Sequence, residues 1–216
     1  MSATHRPFAV TRHPKSKRTA CLPRASLTAM PRNQGVLVRR EKSSDHAAVE
    51  RLQRLAFNDP DELPSLVAAL RRSTGSVPTT SIVATDGDLL VGHVMLSAGR
   101  LDAPQRLVDV YVLSPLGVLP THQGRGIGTR LVNEALAAAE EERVPLVFLE
   151  GDPGYYGSRG FERAVARGFR SPSLRIPEPA FQVALLSAYE PWMTGTLVYS
   201  EIFWELDVVG LRDDDH

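Results

Sequence analysis

Apolar and polar positions along the chain fall into regular patterns from residue 35 onward. Gly35 to Arg40, GVLVRR, reads as a short strand. Ala47, Val49, Leu52, Leu55 and Ala56 then recur at helical spacing, with Ser43 or Ser44 placed to cap that helix. Asn58-Asp59-Pro60 breaks the pattern, and Glu62 to Arg72 repeats it up to Gly75. SIVATDGDLLVGHVMLSA holds two β-rich runs around Asp86-Gly87-Asp88, which is a hairpin signal. A third run, Leu107 to Leu113, follows the turn-prone Asp102-Ala103-Pro104. The three together predict an antiparallel meander.

Ile127, Leu131, Ala135 and Ala138 form an apolar stripe beside Val132, Leu136 and Ala139, predicting a helix from about Gly128 to Arg143. PLVFLEG, Pro145 to Gly151, reads as a buried strand returning after it. A crossover of this kind makes the strands on either side parallel. GYYGSRGFERA reads as a short helical or looped unit. Ser171 to Leu211 is punctuated by proline, with strand-like pieces FQVALL and GTLVYS, and no internal repeat is present. The expected fold class is α+β: a mixed, mostly antiparallel central sheet flanked by helices, with one β-α-β crossover. Residues 1–34 are expected to be a disordered basic extension, 35–170 the domain core, and 171–216 strands completing the same domain.

Composition narrows the function. The 216 residues allow one domain with a real core, at 43% apolar and 23% charged content. Net charge is zero, but nine of the 25 basic residues lie in residues 1–40, which hold no acid. The rest carries 16 basic against 25 acidic side chains, a net of −9. That balance argues against a nucleic-acid face and leans toward cationic small molecules. The single cysteine, Cys21, offers neither a disulfide framework nor a thiolate metal site, and the six histidines lack H-x-x-x-H spacing, so no metal is expected. No run approaches membrane-spanning length, which predicts no membrane partner and a cytoplasmic location.

The chemistry concentrates in VLPTHQGRGIGTR, Val118 to Arg130. Gly124, Gly126 and Gly128 precede a helix whose first N–H groups are unpaired and lie at the positive end of its dipole. That combination suits a phosphate or pyrophosphate. A P-loop would need a lysine after the glycines, and none follows. The dinucleotide fingerprint starting at Gly124 puts Thr129 where its third glycine belongs, although Glu150 offers the distal acid.

The remaining pattern is Gln123-Gly124-Arg125-Gly126-Ile127-Gly128 behind Val118-Leu119-Pro120, joined by YYGSRGF with Tyr156, Gly160 and Phe161. In these elements, and in LEGDPGYYGSRGFERA, the chain resembles the GNAT superfamily of N-acetyltransferases, specifically a bacterial subgroup with a G-D-P-x-Y-Y-G element. The resemblance spans about Val36 to Ala164. It implies that the loop from Gln123 through Gly124, Arg125, Gly126, Ile127, Gly128 and Thr129 grips the pyrophosphate of acetyl-CoA as co-substrate. Pro115 interrupts an apolar run, where a bulge would splay this strand from its parallel neighbour. The resemblance then implies that backbone groups of Gly117, Val118 and Leu119 pair with the pantetheine arm. Alternatively, Pro115 ends one strand and Leu116 to Leu119 form another.

Acetyl transfer requires a deprotonated amine, a polarised thioester and a protonated leaving thiolate. The resemblance implies Tyr156 as the acid that protonates the thiolate, with Tyr155 beside it. Asp109, Tyr111, Glu150 and His93 are candidate bases, none singled out, and water-mediated base catalysis is also open. Ser114 lies near the expected thioester, as a hydrogen-bond donor or as a stabiliser of the bulge. Arg125 and Arg130 are candidates for the cofactor phosphates. Trp192, Tyr199, Phe203 and Trp204 supply either core or an acceptor wall. The expectation is direct attack by a primary amine, small-molecule or peptide, on acetyl-CoA. Antibiotic, polyamine, amino acid and protein N-terminus stay open as acceptors, as does a homodimer. The alternative is a non-catalytic acyl-CoA-binding regulatory module of the same fold.

Overall fold

A computed structural model describes residues 35–57 and 61–210. The expected basic extension 1–34 and the Asn58-Asp59-Pro60 break lie outside the described residues. Nine strands among the described residues join one sheet. Strands β1 (Val36–Arg40), β2 (Thr80–Asp86), β3 (Leu89–Asp102) and β4 (Leu107–Val118) are successive antiparallel neighbours, the last three forming the expected meander. β4 pairs in parallel with β5 (Leu146–Glu150) across the crossover helix α3 (Ile127–Glu141). β8 (Phe181–Leu185) then lies antiparallel between β5 and β6 (Glu162–Arg163), and β9 (Gly195–Val198) pairs with β3 and β7 (Phe169–Arg170). The segment after residue 170 thus supplies a strand inside the sheet.

Alternation along β4 divides the core between two faces. Val110 and Val112 join Met95, Phe148 and Phe181 on one face, which is covered by α1 (His46–Phe57) and α2 (Glu62–Arg72) through Val49, Leu52, Leu66 and Leu70. Tyr111 and Leu113 join Val147 and Leu149 on the other, covered by Ile127, Leu131 and Ala135 of α3. The helical stripe foreseen for α3 is the one buried.

Three local expectations are corrected. Neither Ser43 nor Ser44 caps α1; Ser43–Asp45 form a 3-10 turn and α1 begins at His46. The Asp45 carboxylate organises that entry, accepting from the Lys42 N–H at 2.8 Å and from the Arg39 guanidinium at 2.6 and 3.1 Å. β4 does not stop near Leu113, and GTLVYS leaves the sheet at Val198. After it, Glu201–Glu205 forms a short helix, which brings Phe203 into the core.

Candidate active site

β4 and β5 pair only at Tyr111↔Val147 and Val112↔Phe148, after which β4 runs on to Val118 along β3. The β3–β4 register shifts between Val94 and Leu96, which face Leu116 and Leu113. One extra β4 residue is therefore accommodated at Ser114-Pro115, a bulge where proline can donate no ladder bond. Pro115 lies inside a continuous strand, and the edge of β4 beyond it opens away from β5.

Which backbone groups face that opening follows from one hydrogen bond. The Leu119 N–H donates to the Val91 carbonyl at 3.0 Å. Opposed pairs in an antiparallel ladder alternate between bonded and non-bonded, so Gly117 also turns to β3, while Val118 and Leu116 face outward. Gln123 Nε2 accordingly reaches the Val118 carbonyl at 3.1 Å. Of the three residues expected to offer groups to a ligand, Gly117 and Leu119 are engaged with β3. Val118 faces the opening, joined by Leu116, which sequence reasoning missed because ladder phase is not visible in a run of apolar residues.

The glycine loop closes one end of this edge. Gly124 and Gly126 sit at φ +74° and +78°, a left-handed backbone that favours glycine. Gly126 caps α3 without a side-chain bond, and the first helical bond runs from Arg130 N–H to the Gly126 carbonyl at 3.1 Å. The N–H groups of Ile127, Gly128 and Thr129 precede it and form the helix's open donor set. A cleft of about 180 Å³ lies over them, lined also by Val118, Gln123, Tyr155 and Arg159. Arg125 and Arg130 are exposed and outside that lining. Arg159, not anticipated, is a guanidinium that faces the cleft, where His122 also lies. Its Nε donates to Thr129 Oγ1 at 3.0 Å, its NH1 donates to the Tyr155 carbonyl, and its guanidinium stacks 3.7 Å from the Tyr155 ring centre. Arg159 stands four residues after Tyr155 inside the quoted YYGSRGF; that spacing was the available signal.

At the other end of the slot lies a chamber of about 30 Å³ that includes Ser114, Glu150, Tyr156, Tyr199 and Phe203. Cleft and chamber share Phe57 and Leu116 as walls, so they adjoin along the splayed edge. The two tyrosines of YYG part here, Tyr155 toward the glycine loop and Tyr156 toward the chamber. A Cβ at Gly151 would collide with the Tyr156 ring, so glycine leaves the space this ring occupies. Burial raises the Tyr156 hydroxyl above the ordinary tyrosine range, reinforced by Tyr155, so it stays a proton donor. Ser114 is 6% exposed and its Oγ has no hydrogen-bond partner among the described residues, so it does not brace the bulge through that atom.

The four base candidates separate by position. Asp109 is half-exposed, 3.6 Å from Arg100. Tyr111 is buried under α3 and donates to the Pro78 carbonyl at 2.8 Å. His93 is fully buried between Gln53 Nε2 at 2.6 Å and Ser81 Oγ at 2.8 Å, and burial holds it neutral with a pKa of about 3. Glu150 alone lines the chamber. Burial pushes its carboxyl up to about 7, opposed by hydrogen bonds from Tyr199 Oη at 2.7 Å and Gly210 N–H at 3.2 Å and by the charge of Arg175. Of the aromatic residues, Tyr199 and Phe203 line the chamber. Trp192 instead packs under Arg106, and Trp204 is 40% exposed and outside the lining.

An acetyltransferase (GNAT) domain model matches residues 37–164, more than half of the chain and the span holding both cleft and loop. The chain belongs to the GNAT acetyltransferase family. It is similar to the N-acetyltransferase YjhQ of Escherichia coli strain K12, at 30% identity over 140 residues, 62% of this chain and 74% of that protein. The GNAT N-acetyltransferase YhbS of Escherichia coli, solved in complex with CoA, matches with a TM-score of 0.69 and 29% identity over 78% of this chain and 92% of that one. A GNAT acetyltransferase of Brucella melitensis, solved with acetyl-CoA, matches with a TM-score of 0.61 and 26% identity over 78% and 97%. The GNAT fold and enzyme class agree with the α+β expectation. The described residues contain no group of three or more His, Cys, Asp or Glu able to hold a metal, and no helix long and apolar enough to cross a membrane.

Proposed function

We propose that this GNAT enzyme transfers an acetyl group from acetyl-CoA to a primary amine by direct attack on the thioester. The observation that carries this reading is the splayed β4 edge, which leads from the open donors of α3 to a chamber holding both Glu150 and Tyr156. The pyrophosphate is assigned to the N–H groups of Gly124 to Thr129, with Arg159 as the facing cation. The pantetheine amides pair with Val118 and Leu116, and the thioester lies beside Ser114, whose hydroxyl donates to its carbonyl oxygen.

Glu150 then takes a proton from the acceptor's ammonium. The neutral nitrogen attacks the carbonyl carbon, a C–N bond forms and the C–S bond breaks. Tyr156 protonates the departing thiolate and is reprotonated by the amide nitrogen's surplus proton, while Glu150 releases the proton it took to solvent. The products are N-acetylated amine and CoA thiol. Residues 35–170 form the catalytic core in this reading, the segment after residue 170 supplies Tyr199 and Phe203 to the acceptor wall, and the reaction draws on a cytoplasmic acetyl-CoA pool.

The test is thiol release from acetyl-CoA with an amine panel, using wild type, Tyr156→Phe and Glu150→Gln. Loss of about 10²-fold or more in kcat for each, with acetyl-CoA binding retained, is expected. Unchanged turnover in Tyr156→Phe rejects its role. Binding without turnover in the wild type favours a regulatory acyl-CoA module.

A further inference from the structure

Left-handed backbone accounts for Gly124 and Gly126, but not for Gly128. That residue lies inside α3 with ordinary helical φ, where alanine would serve the helix better. What its bare Cα admits is Tyr155. A Cβ built on Gly128 would collide with Tyr155 Oη, and the ring's Cζ would lie 3.4 Å from it. A helical Cα–Cβ bond tilts toward the helix N-terminus. The hydroxyl that takes this place therefore lies over the first turn of α3, beside the open N–H groups of the cleft.

The ring is held there from several sides. Arg159 stacks on its face, and Tyr156 meets it edge-on with centres 4.9 Å apart. The Tyr155 N–H donates to the Asp152 carbonyl at 3.0 Å within the helical turn Pro153–Tyr156. Burial raises the hydroxyl above the ordinary tyrosine range, opposed by the charge and then the hydrogen bond of Arg159, so it keeps its proton. A guanidinium only donates, which leaves that proton for an acceptor. A phosphate oxygen drawn to the start of α3 is such an acceptor. Resting on the pyrophosphate assignment above, we propose that Tyr155 is a cofactor-binding residue whose hydroxyl donates to a pyrophosphate oxygen of acetyl-CoA, and that Gly128 is glycine to give this hydroxyl its place. The adjacent tyrosines then divide the cofactor, Tyr155 serving the phosphate end and Tyr156 the thiol end.

The experiment is calorimetry on the full chain, and it needs no acceptor. Its two ligands are acetyl-CoA and, by displacement, S-acetylpantetheine, which carries the same thioester and amides without phosphate. Tyr155→Phe keeps the ring under Arg159 and removes only the donor. Loss of a hydrogen bond to a charged group should weaken acetyl-CoA on the order of tenfold, with S-acetylpantetheine unchanged. Gly128→Ala displaces the hydroxyl and should cost a similar factor, yet little more when added to Tyr155→Phe, whose ring leaves room for a methyl. Retained S-acetylpantetheine binding shows that each variant is folded. Unchanged acetyl-CoA affinity in Tyr155→Phe overturns the proposal. So does an equal loss for both ligands, which would make Tyr155 a packing residue. Losses that multiply in the double variant assign Gly128 to another contact and overturn the pairing. A wild-type chain that binds S-acetylpantetheine no more weakly than acetyl-CoA overturns the pyrophosphate assignment as well.

Discussion

Tyr199 Oη donates a hydrogen bond to Glu150 Oε1 across 2.7 Å, joining the end of the crossover strand to the C-terminal segment. Both groups are buried, and burial first, then the neighbouring carboxylate, drives the tyrosine hydroxyl far above its ordinary range. The carboxyl is raised to about 7, while the tyrosine's donated bond holds it lower than burial alone would. A base must be ionised to act, so kcat/KM should rise with pH through about 7. Tyr199→Phe removes the bond that favours the ionised form, and the rising limb should move to higher pH. A limb that stays in place on that substitution counts against Glu150 as the titrating base.

The same carboxyl makes a prediction about stability, of opposite sign to the usual acid. Its folded pKa of about 7 lies above its ordinary 4.5, so the folded state holds the proton more tightly. Stability from this group is present below about 4.5 and is lost as pH rises to about 7, on the order of 3 kcal/mol in all. Glu150→Gln keeps an acceptor for Tyr199 and removes the buried charge. At pH 8 the variant should unfold at higher urea than wild type, and at pH 5 the difference should shrink. A variant less stable than wild type at pH 8 contradicts this account.

Why Glu150 and not its rivals was hidden from the sequence can be argued residue by residue. The β2–β4 meander, the crossover and the Gly-rich entry to α3 were legible because each rests on local periodicity or on glycine. Pro115 signalled the bulge for the same reason. Asp109, Tyr111, His93 and Glu150 look alike as letters, and only tertiary packing separates them. Tyr111 turns under α3 because β4 alternates, and His93 is sealed by Gln53 from a helix forty residues earlier. Tyr199 reaches Glu150 only because β9 returns to β3, a long-range pairing no window of sequence contains.

The glycine loop predicts a graded series. Gly126 has φ +78°, yet nothing lies within 4 Å of a Cβ built there, so backbone strain decides and not collision inside the protein. Gly126→Val should cost about 1–2 kcal/mol in the left-handed conformation, corresponding to roughly 5–30-fold weaker acetyl-CoA binding if the loop relaxes away. Asparagine tolerates this region, so Gly126→Asn should bind more tightly than Gly126→Val. Calorimetric titration with acetyl-CoA checks the order. Equal affinities for Val and Gly at this position would remove the loop from the cofactor site.

The buried trio of Gln53, His93 and Ser81 supplies the last prediction. Gln53 Nε2 is donor only, so His93 Nδ1 accepts and its Nε2–H is left to donate to Ser81 Oγ. Gln53 Oε1 has no partner among the described residues. His93→Leu strips the partner from a fully buried carboxamide and should cost about 2–4 kcal/mol, whereas half-buried Ser81 can turn to water. Replacing Gln53 as well, in Gln53→Leu/His93→Leu, removes the orphan and should restore part of the loss. The imidazole also couples to pH. Its folded pKa of about 3 lies below the ordinary 6.5, so its contribution is complete above 6.5 and is lost as pH falls toward 3. That slope opposes the one from Glu150. In the Glu150→Gln background, urea midpoints should fall steadily below pH 6.5, and adding His93→Leu should flatten that fall. An acid limb that persists undiminished in the combined variant would assign the sensitivity to another group.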